Sequence, residues 1–254
     1  MPDSPTSSTF FRDEHLEFDH LKGSNTMYDY TKSLERSKFS RERNSGDNEI
    51  VVGGDEWTLL EDVFSPADTR STLAHIDLLD FTEGETFLEI GSGIGMIAVK
   101  AALGGCRSVV ATDINPAAVA NTERNVRRFG VADRVTTVHS DLFDGLSPDL
   151  RFDTIYWHSN NVWAPPTLAL QSVHELAYVD PGYAAHRRFL REARNFVSDR
   201  GRVLLALSSR AGRRELEDLA AQEGAKFVDV RSKTVDEPEG AVSYDLIEVV
   251  TASN

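Results

Sequence analysis

The sequence predicts an α/β fold built on a doubly wound, mainly parallel sheet of seven strands. Three observations predict it. Short apolar runs alternate with amphipathic helical stretches along most of the chain, the pattern of repeated strand–helix–strand units. The first such run, Phe87-Leu88-Glu89-Ile90, breaks on glycines at alternate positions, Gly91, Gly93 and Gly95, and resumes as a helix. The last two runs have no helix between them, so the final strand must turn back antiparallel.

The elements follow in order. Residues 1–48 are polar and weakly periodic, yet carry Phe10, Phe11, Leu16, Phe18, Leu21, Tyr28, Tyr30 and Phe39, too many large apolar groups for a pure tail. They read as short helices packed on the domain as a lid, or as a flexible extension with one docked helix. Glu49–Val52 and Glu56–Leu60 flank Gly53-Gly54-Asp55 as a small hairpin. Residues 1–62 are therefore expected to form an N-terminal extension, and 63–254 the main domain. Pro66, with Asp68 or Thr69 as cap, opens a helix running to Leu79.

Within the domain, strands are predicted at 86–90, 108–112, 134–138, 152–157, 202–207, 226–230 and 245–250. Helices are predicted at 94–104, 116–129, 183–198 and 211–223, and residues 158–182 read as a long irregular connection.

Composition bounds the function. A length of 254 residues suits one α/β domain plus an extension. A formal charge of −14 argues against nucleic acid as partner, because phosphate neutralisation needs a basic face. Arg124, Arg127 and Arg128, and then Arg187, Arg188, Arg191 and Arg194, fall on amphipathic helices and read as solvated faces. The single cysteine, Cys106, reads as core filler and fits a reducing, cytoplasmic compartment. No basic leader and no long apolar run suggests a signal peptide or a membrane span. His174-Glu175 lacks metal-ligand spacing, and neither His139 nor His186 completes a site, so no metal is expected.

A glycine turn between strand and helix lets the backbone approach a ligand, though alone it fits a ligand-free turn equally. Three acids sharpen the reading. Glu89 sits two residues before Gly91; Asp113 follows the next apolar run; Asp141 follows the third. A nicotinamide site accounts for the glycines and Asp113 but leaves Glu89 and Asp141 unexplained.

Together these residues resemble the class I S-adenosylmethionine-dependent methyltransferases, whose Rossmann-like sheet has the same seven-strand layout. The resemblance runs from about Val63 to Val250 and is nearest to the HemK-like release-factor glutamine methyltransferases. Leu88–Gly95 matches that branch's L-E-x-G-x-G-x-G, Asp113–Pro116 its D-I-N-P, and Asp141-Leu142 its D-L. Pro66-Ala67-Asp68-Thr69 matches its entry motif, one residue shorter. The resemblance implies S-adenosyl-L-methionine as cofactor and S-adenosyl-L-homocysteine as product. Glu89 would take the methionyl ammonium, Gly91, Gly93 and Gly95 the methionyl and ribose parts, and Asp113 the ribose hydroxyls. Asp141 and Leu142 would hold adenine, and Thr69 would reach the cofactor from the preceding helix.

The chain departs from the branch after the fourth strand. Where the resemblance implies Asn-Pro-Pro-Tyr, a clamp for a neutral nitrogen, the sequence reads His158-Ser159-Asn160-Asn161 between Trp157 and Trp163. His158 is the candidate base for a hydroxyl, amine or acidified carbon, or else a cofactor contact. Asn160 and Asn161 are candidate substrate-orienting groups or loop caps; Trp157 and Trp163 are candidate pocket walls or core residues. The expected function is methyl transfer to a small polar or aromatic metabolite in biosynthesis. The alternatives are a protein or peptide acceptor, as the resemblance implies, and a cofactor-binding module without catalysis.

Overall fold

The computed structural model describes residues 30–237 and 240–251. The apolar residues proposed to pack from the first part of the extension, Phe10 to Tyr28, lie outside the described residues. The described chain opens with α1 (Tyr30–Arg43), then the hairpin β1 (Asn48–Val52) and β2 (Asp55–Leu59). A single 3-10 turn, Pro66–Asp68, leads into α2 (Ser71–Leu78). The alternating part is β3 (Thr86–Ile90), α3 (Met96–Leu103), β4 (Ser108–Asp113), α4 (Pro116–Arg128), β5 (Val135–His139) and β6 (Phe152–His158). After β6 come two short strands, β7 (Trp163–Ala164) and β8 (Asp180–Pro181), with a 3-10 turn at Val173–Ala177 between them. α5 (Ala184–Glu192), β9 (Val197–Ser208), α6 (Arg213–Gln222), β10 (Ala225–Glu237) and β11 (Gly240–Thr251) complete the domain.

The seven-stranded sheet has the order β10-β11-β9-β6-β3-β4-β5. All pairs are parallel except those of β11, which runs antiparallel to both β9 and β10. The doubly wound sheet with an antiparallel last strand is thus the fold the sequence predicts. The strand order reverses between β3 and β6, where an open α/β sheet leaves a crevice beyond its carboxyl ends. Each face of the sheet carries its own core. Trp57, Leu59, Phe87, Ile97 and Tyr156 pack on one face. Leu88, Ile155, Trp157, Phe189 and Leu205 pack on the other. Cys106 is buried in the first core as a free thiol.

Three elements differ from expectation. The helix expected to run to residue 198 ends at Glu192 and tightens into a 3-10 turn, Ala193–Asn195. This early exit stacks Phe196 on Phe143 at 4.9 Å and starts β9 at Val197, against Phe152. The last hairpin is far longer than expected because its charged residues have partners that the sequence pattern hides. Arg231 bridges Asp80, and Lys233 bridges Asp77 of α2. Finally, the 158–182 connection is partly ordered as β7 and β8, which pair in parallel.

The β1–β2 hairpin does not join the main sheet. Its free edge is read instead by two asparagines one turn apart on α4. Asn121 Oδ1 accepts from Leu60 N–H at 2.8 Å while its Nδ2 donates to the Thr58 carbonyl at 2.7 Å. Asn125 Oδ1 accepts from Thr58 N–H at 2.9 Å, and its Nδ2 donates to the carbonyls of Thr58 and Ile94. Both amides are fully buried, so each partner left unpaired would bear its desolvation cost. Asn125→Ala is expected to lower unfolding stability by about 3 kcal/mol, measured by urea denaturation, with faster amide exchange across residues 55–60.

Candidate functional site

The crevice at the strand-order reversal opens into one cavity of about 1350 Å³. That volume exceeds the ~300–1,000 Å³ typical of a single-ligand pocket, so it has room for two ligands side by side.

The glycine turn forms its floor. Gly91, Gly93 and Gly95 all have positive φ, at 71°, 55° and 85°. A Cβ on Gly93 would meet no atom within 4 Å, and one on Gly91 would meet only Trp157. Both positions present bare backbone to the cavity. Gly95 differs: it is absent from the lining, and a Cβ there would stand 2.8 Å from Thr122 Cγ2. The missing side chain at residue 95 lets α4 close on the turn.

The three acids surround this floor. Glu89, at 2 % exposure, accepts from Ala98 N–H of α3 at 2.9 Å through Oε2. Burial, with the Asp113 charge adding to it, pushes its carboxyl well above the usual range near 4.5. Asp113 ends β4; Oδ2 accepts from Gly93 N–H at 2.9 Å and Oδ1 from Asn115 N–H at 2.8 Å. Burial raises its pKa too, against the pull of those amides. Each carboxylate oxygen keeps a lone pair for a further donor. Asp141 sits on the loop after β5, its side chain about half exposed, with Oδ2 accepting from Arg188 at 2.8 Å. Leu142 follows it with φ at 52°, held there by Ser140 Oγ donating to its carbonyl.

The far wall is built by β6 and the segment after it. Trp157 lines the cavity but is mostly spent in the core, against His186 and Phe189. His158 lines it at the strand end, its ring 4.5 Å from that of His75 of α2. Burial and the neighbouring His75 hold the His158 pKa well below 6.5, so the imidazole is neutral with a lone pair available. His75 is likewise neutral, its pKa lowered to about 4 by burial. Its Nδ1 lies 3.0 Å from the Ser71 carbonyl, which can only accept, so the proton sits on Nδ1.

Asn160 lines the cavity and donates to the Val179 carbonyl at 2.9 Å; its Oδ1 is buried without a partner among the described residues. Asn161 is committed elsewhere: Oδ1 accepts from Ser208 Oγ, Nδ2 donates to Ser159, and its carbonyl accepts from Tyr183. Asn161 also lines the cavity, so it braces the loop from a position beside the space. Of the two readings offered for Trp163, pocket wall or core residue, its placement fits the second: it packs from β7 against the second core and is not among the cavity-lining residues. Thr69 lines the cavity and accepts from Ser71 N–H at 2.9 Å, but Arg70, not Asp68 or Thr69, stands at the N-cap of α2.

The sequence reading offers a helical cover from this segment but does not single out the residues that face the cavity. α1 turns Ser33, Ser37 and Ser40 inward, at the i, i+4, i+7 spacing of one helix face. Ser37 Oγ meets His174 Nδ1 at 2.7 Å, and Ser40 Oγ donates to Asp68 at 2.8 Å. Asn44 and Arg43 also reach Asp68. Lys32, Glu35, Arg36 and Phe39 of the same helix line the cavity. A serine stripe is the one signal by which this face could have been found.

The basic clusters are not a free basic surface. Arg124 pairs with Asp47, Arg127 with Glu123, and Arg128 with Glu49 and Glu56. Arg187 and Arg191 pair with Glu223, and Arg194 donates to the Glu223 carbonyl. Among the described residues, no three His, Cys, Asp or Glu side chains are grouped to hold a metal ion. No described helix is long and apolar enough to cross a membrane.

Comparison with known proteins agrees with this geometry. The release factor glutamine methyltransferase of Rhodopirellula baltica is 46% identical over 71 residues, covering 28% of this chain and 24% of that protein. The Bordetella pertussis protein of the same description is 33% identical over 170 residues, covering 64% and 57%. A Thermus thermophilus 16S rRNA N2 G1207 methyltransferase, solved with AdoMet and guanosine, superposes with a TM-score of 0.58 at 19% identity. That match covers 81% of this chain and 50% of the other, and it shows a common fold. The chain thus spans from about a quarter to 57% of these relatives' lengths. Residues 67–212, more than half the chain and all of the cavity floor, match the family model described as ribosomal protein L11 methyltransferase (PrmA). The chain belongs to that family, within the class I S-adenosylmethionine-dependent methyltransferases.

Proposed function

We propose that the protein transfers a methyl group from S-adenosylmethionine to a small polar or aromatic acceptor held beneath α1. The observation that carries this reading is the β6 end. A neutral His158 faces the cavity where the HemK-like branch would place an asparagine and two prolines, and α1 roofs the space beside it. The donor side fits the cofactor, because Gly93 faces open space and Glu89 and Asp113 keep unused lone pairs toward it.

When bound, S-adenosylmethionine supplies an electrophilic methyl group on a sulfonium centre. The chain's own residues do the rest. Glu89 holds the ammonium, Asp113 accepts from both ribose hydroxyls, and Asp141 accepts from the adenine amino group. Leu142 and Thr69 complete the cofactor contacts. Trp157 walls the reacting centre from water. His158 orients the acceptor and takes its proton at the free imidazole nitrogen. Asn160 Oδ1 is available to a donor on the acceptor. Residues 1–62 are proposed as the extension whose α1 acts as a lid on the domain 63–254. With Arg124, Arg127, Arg128, Arg187 and Arg191 ion-paired and its charge at −14, the protein is not proposed to act on nucleic acid.

A second reading keeps a protein side chain as acceptor. It is favoured by the relatives described as release factor glutamine methyltransferases. Transfer of labelled methyl groups from S-adenosylmethionine into a cell extract, separated by size, decides between them. Label in the fraction below about 1 kDa supports the first reading. Label confined to polypeptide overturns it.

His158→Ala is expected to lower turnover on that acceptor roughly a hundredfold, the scale of a lost general base, while calorimetric S-adenosylhomocysteine affinity stays unchanged. Equal losses in both would make His158 a cofactor contact. Glu89→Gln is expected to act with opposite signs on stability and binding. The folded protein holds the Glu89 proton at higher pH than the unfolded chain does. The stabilisation from that proton is complete below about pH 4.5 and is lost as pH rises through the elevated pKa. The neutral amide keeps it, so the ligand-free variant melts higher than the parent at pH 8 and the gap closes toward pH 4.5. Its S-adenosylhomocysteine affinity falls about tenfold, as expected for a lost charge-assisted hydrogen bond.

A further inference from the structure

Arg188 belongs to a cluster that reads, in the sequence, as a solvated helix face, yet it lines the cavity. It makes three separate ionic contacts. Nη1 donates to Asp141 Oδ2 at 2.8 Å, Nη2 to Asp144 Oδ1 at 2.9 Å, and Nε to Glu192 Oε1 at 3.1 Å. Asp141 and Asp144 lie on the loop after β5, whereas Glu192 is one turn along α5 from Arg188 itself. The guanidinium therefore ties two distant segments across the mouth of the cavity, each by its own nitrogen.

α5 is a firm base for such a tie. Asp180 accepts from the N–H groups of Ala185 and His186 at its start, and Phe189 and Leu190 are buried beneath it. Arg187 and Arg191 fasten its outer face to Glu223. Facing the cavity, α5 offers only the small side chains of Ala184 and Ala185 beside Arg188. By contrast, Asp141 is half exposed on a loop, and among the described residues its carboxylate has Arg188 as its sole partner. With Oδ2 taken, Oδ1 is the oxygen left to accept.

We propose that Arg188 is a positioning residue of the cofactor site, holding the Asp141 carboxylate so that its second oxygen receives the 6-amino group of adenine. The proposal rests on Asp141 being the adenine acceptor. A free aspartate at this exposure samples several rotamers and is ordered only when ligand binds, which weakens binding. The arginine fork fixes it beforehand. A lysine, with one compact ammonium, cannot serve all three acids in this geometry.

The test compares S-adenosylhomocysteine with its 6-deaminated analogue, in which hydrogen replaces the amino group, by titration calorimetry on the full chain. Arg188→Met, which keeps the aliphatic stem, is expected to weaken S-adenosylhomocysteine binding about tenfold, the scale of a hydrogen bond to a charged group. The deaminated analogue should bind the variant and the parent equally. Arg188→Lys should restore only part of the preference for the amino group. Unchanged or tighter S-adenosylhomocysteine binding by Arg188→Met overturns the proposal, the latter showing that Arg188 competes for Asp141. Equal weakening of both ligands also overturns it, since that marks general damage to the cavity. Asp141→Ala, which removes the acceptor, separates the two layers: if it leaves S-adenosylhomocysteine affinity intact, the adenine reading of Asp141 itself fails, and Arg188 has nothing to position.

Discussion

The close approach of α4 to the turn after β3 governs the rest of this architecture. It is possible only because residue 95 has no side chain, since a Cβ would collide with Thr122. Once the two segments touch, Thr122 Oγ1 donates to the Gly93 carbonyl at 3.1 Å and lies 3.0 Å from Ser92 Oγ. One turn further along α4, Asn125 donates to the Ile94 carbonyl, and the same amide grips the β2 edge. A single helix face thus fixes both the turn that floors the cavity and the hairpin beneath the first core. With the turn fixed, Gly93 N–H meets Asp113, and the acid at the end of β4 faces the same space as the acid in β3.

That arrangement is electrostatically costly while no cation is near. Glu89 and Asp113 are both buried, and each carboxyl is held above its usual range, chiefly by desolvation. The backbone amides of Ala98, Gly93 and Asn115 offset part of the cost and also aim the carboxylates. A bound ammonium beside Glu89 would favour the ionised form again. The geometry is therefore a set of acceptors built in advance for a cationic, hydroxyl-rich ligand, with stability given up to keep them in place. Arg188 treats Asp141 differently: there the acid stays near solvent, and an arginine supplies the order that burial supplies elsewhere.

The sheet, its antiparallel last strand and the glycine turn were legible because backbone requirements write themselves into residue type. Alternate glycines mark positive φ, Asn115-Pro116 marks a helix start, and apolar runs ending in Glu89, Asp113 and Asp141 mark strand ends. What escaped was decided by side-chain contacts between distant segments. Asn121 and Asn125 look like ordinary polar positions until the hairpin edge arrives at them. Arg188 looks solvated until the β5 loop brings Asp141 and Asp144 within reach. Beside His158, the short β7–β8 pairing packs Trp163 against the core, while Asn161 keeps a place on the cavity wall and bonds Ser208 and Tyr183. The long β10–β11 hairpin was hidden because its charged outer face is neutralised by α2.

The same distinction explains why the roof of the cavity is chemically different from its floor. The floor is backbone, and its geometry tolerates little change. The roof is a helix whose inward face is serine, fastened mainly through Asp68 and His174. Among its apolar residues, Tyr30 and Leu34 add partly buried contacts with Val162, Ala164 and Val179. Hydrogen bonds of this kind exchange readily with water and contribute modestly net, so such a helix can lift at low cost compared with any element of the sheet. A cavity closed on one side by glycine backbone and on the other by a polar helix thus has two walls of different kinds, and the second wall joins α1 to His158 and the residues after β6, where the sequence departs from the HemK-like pattern.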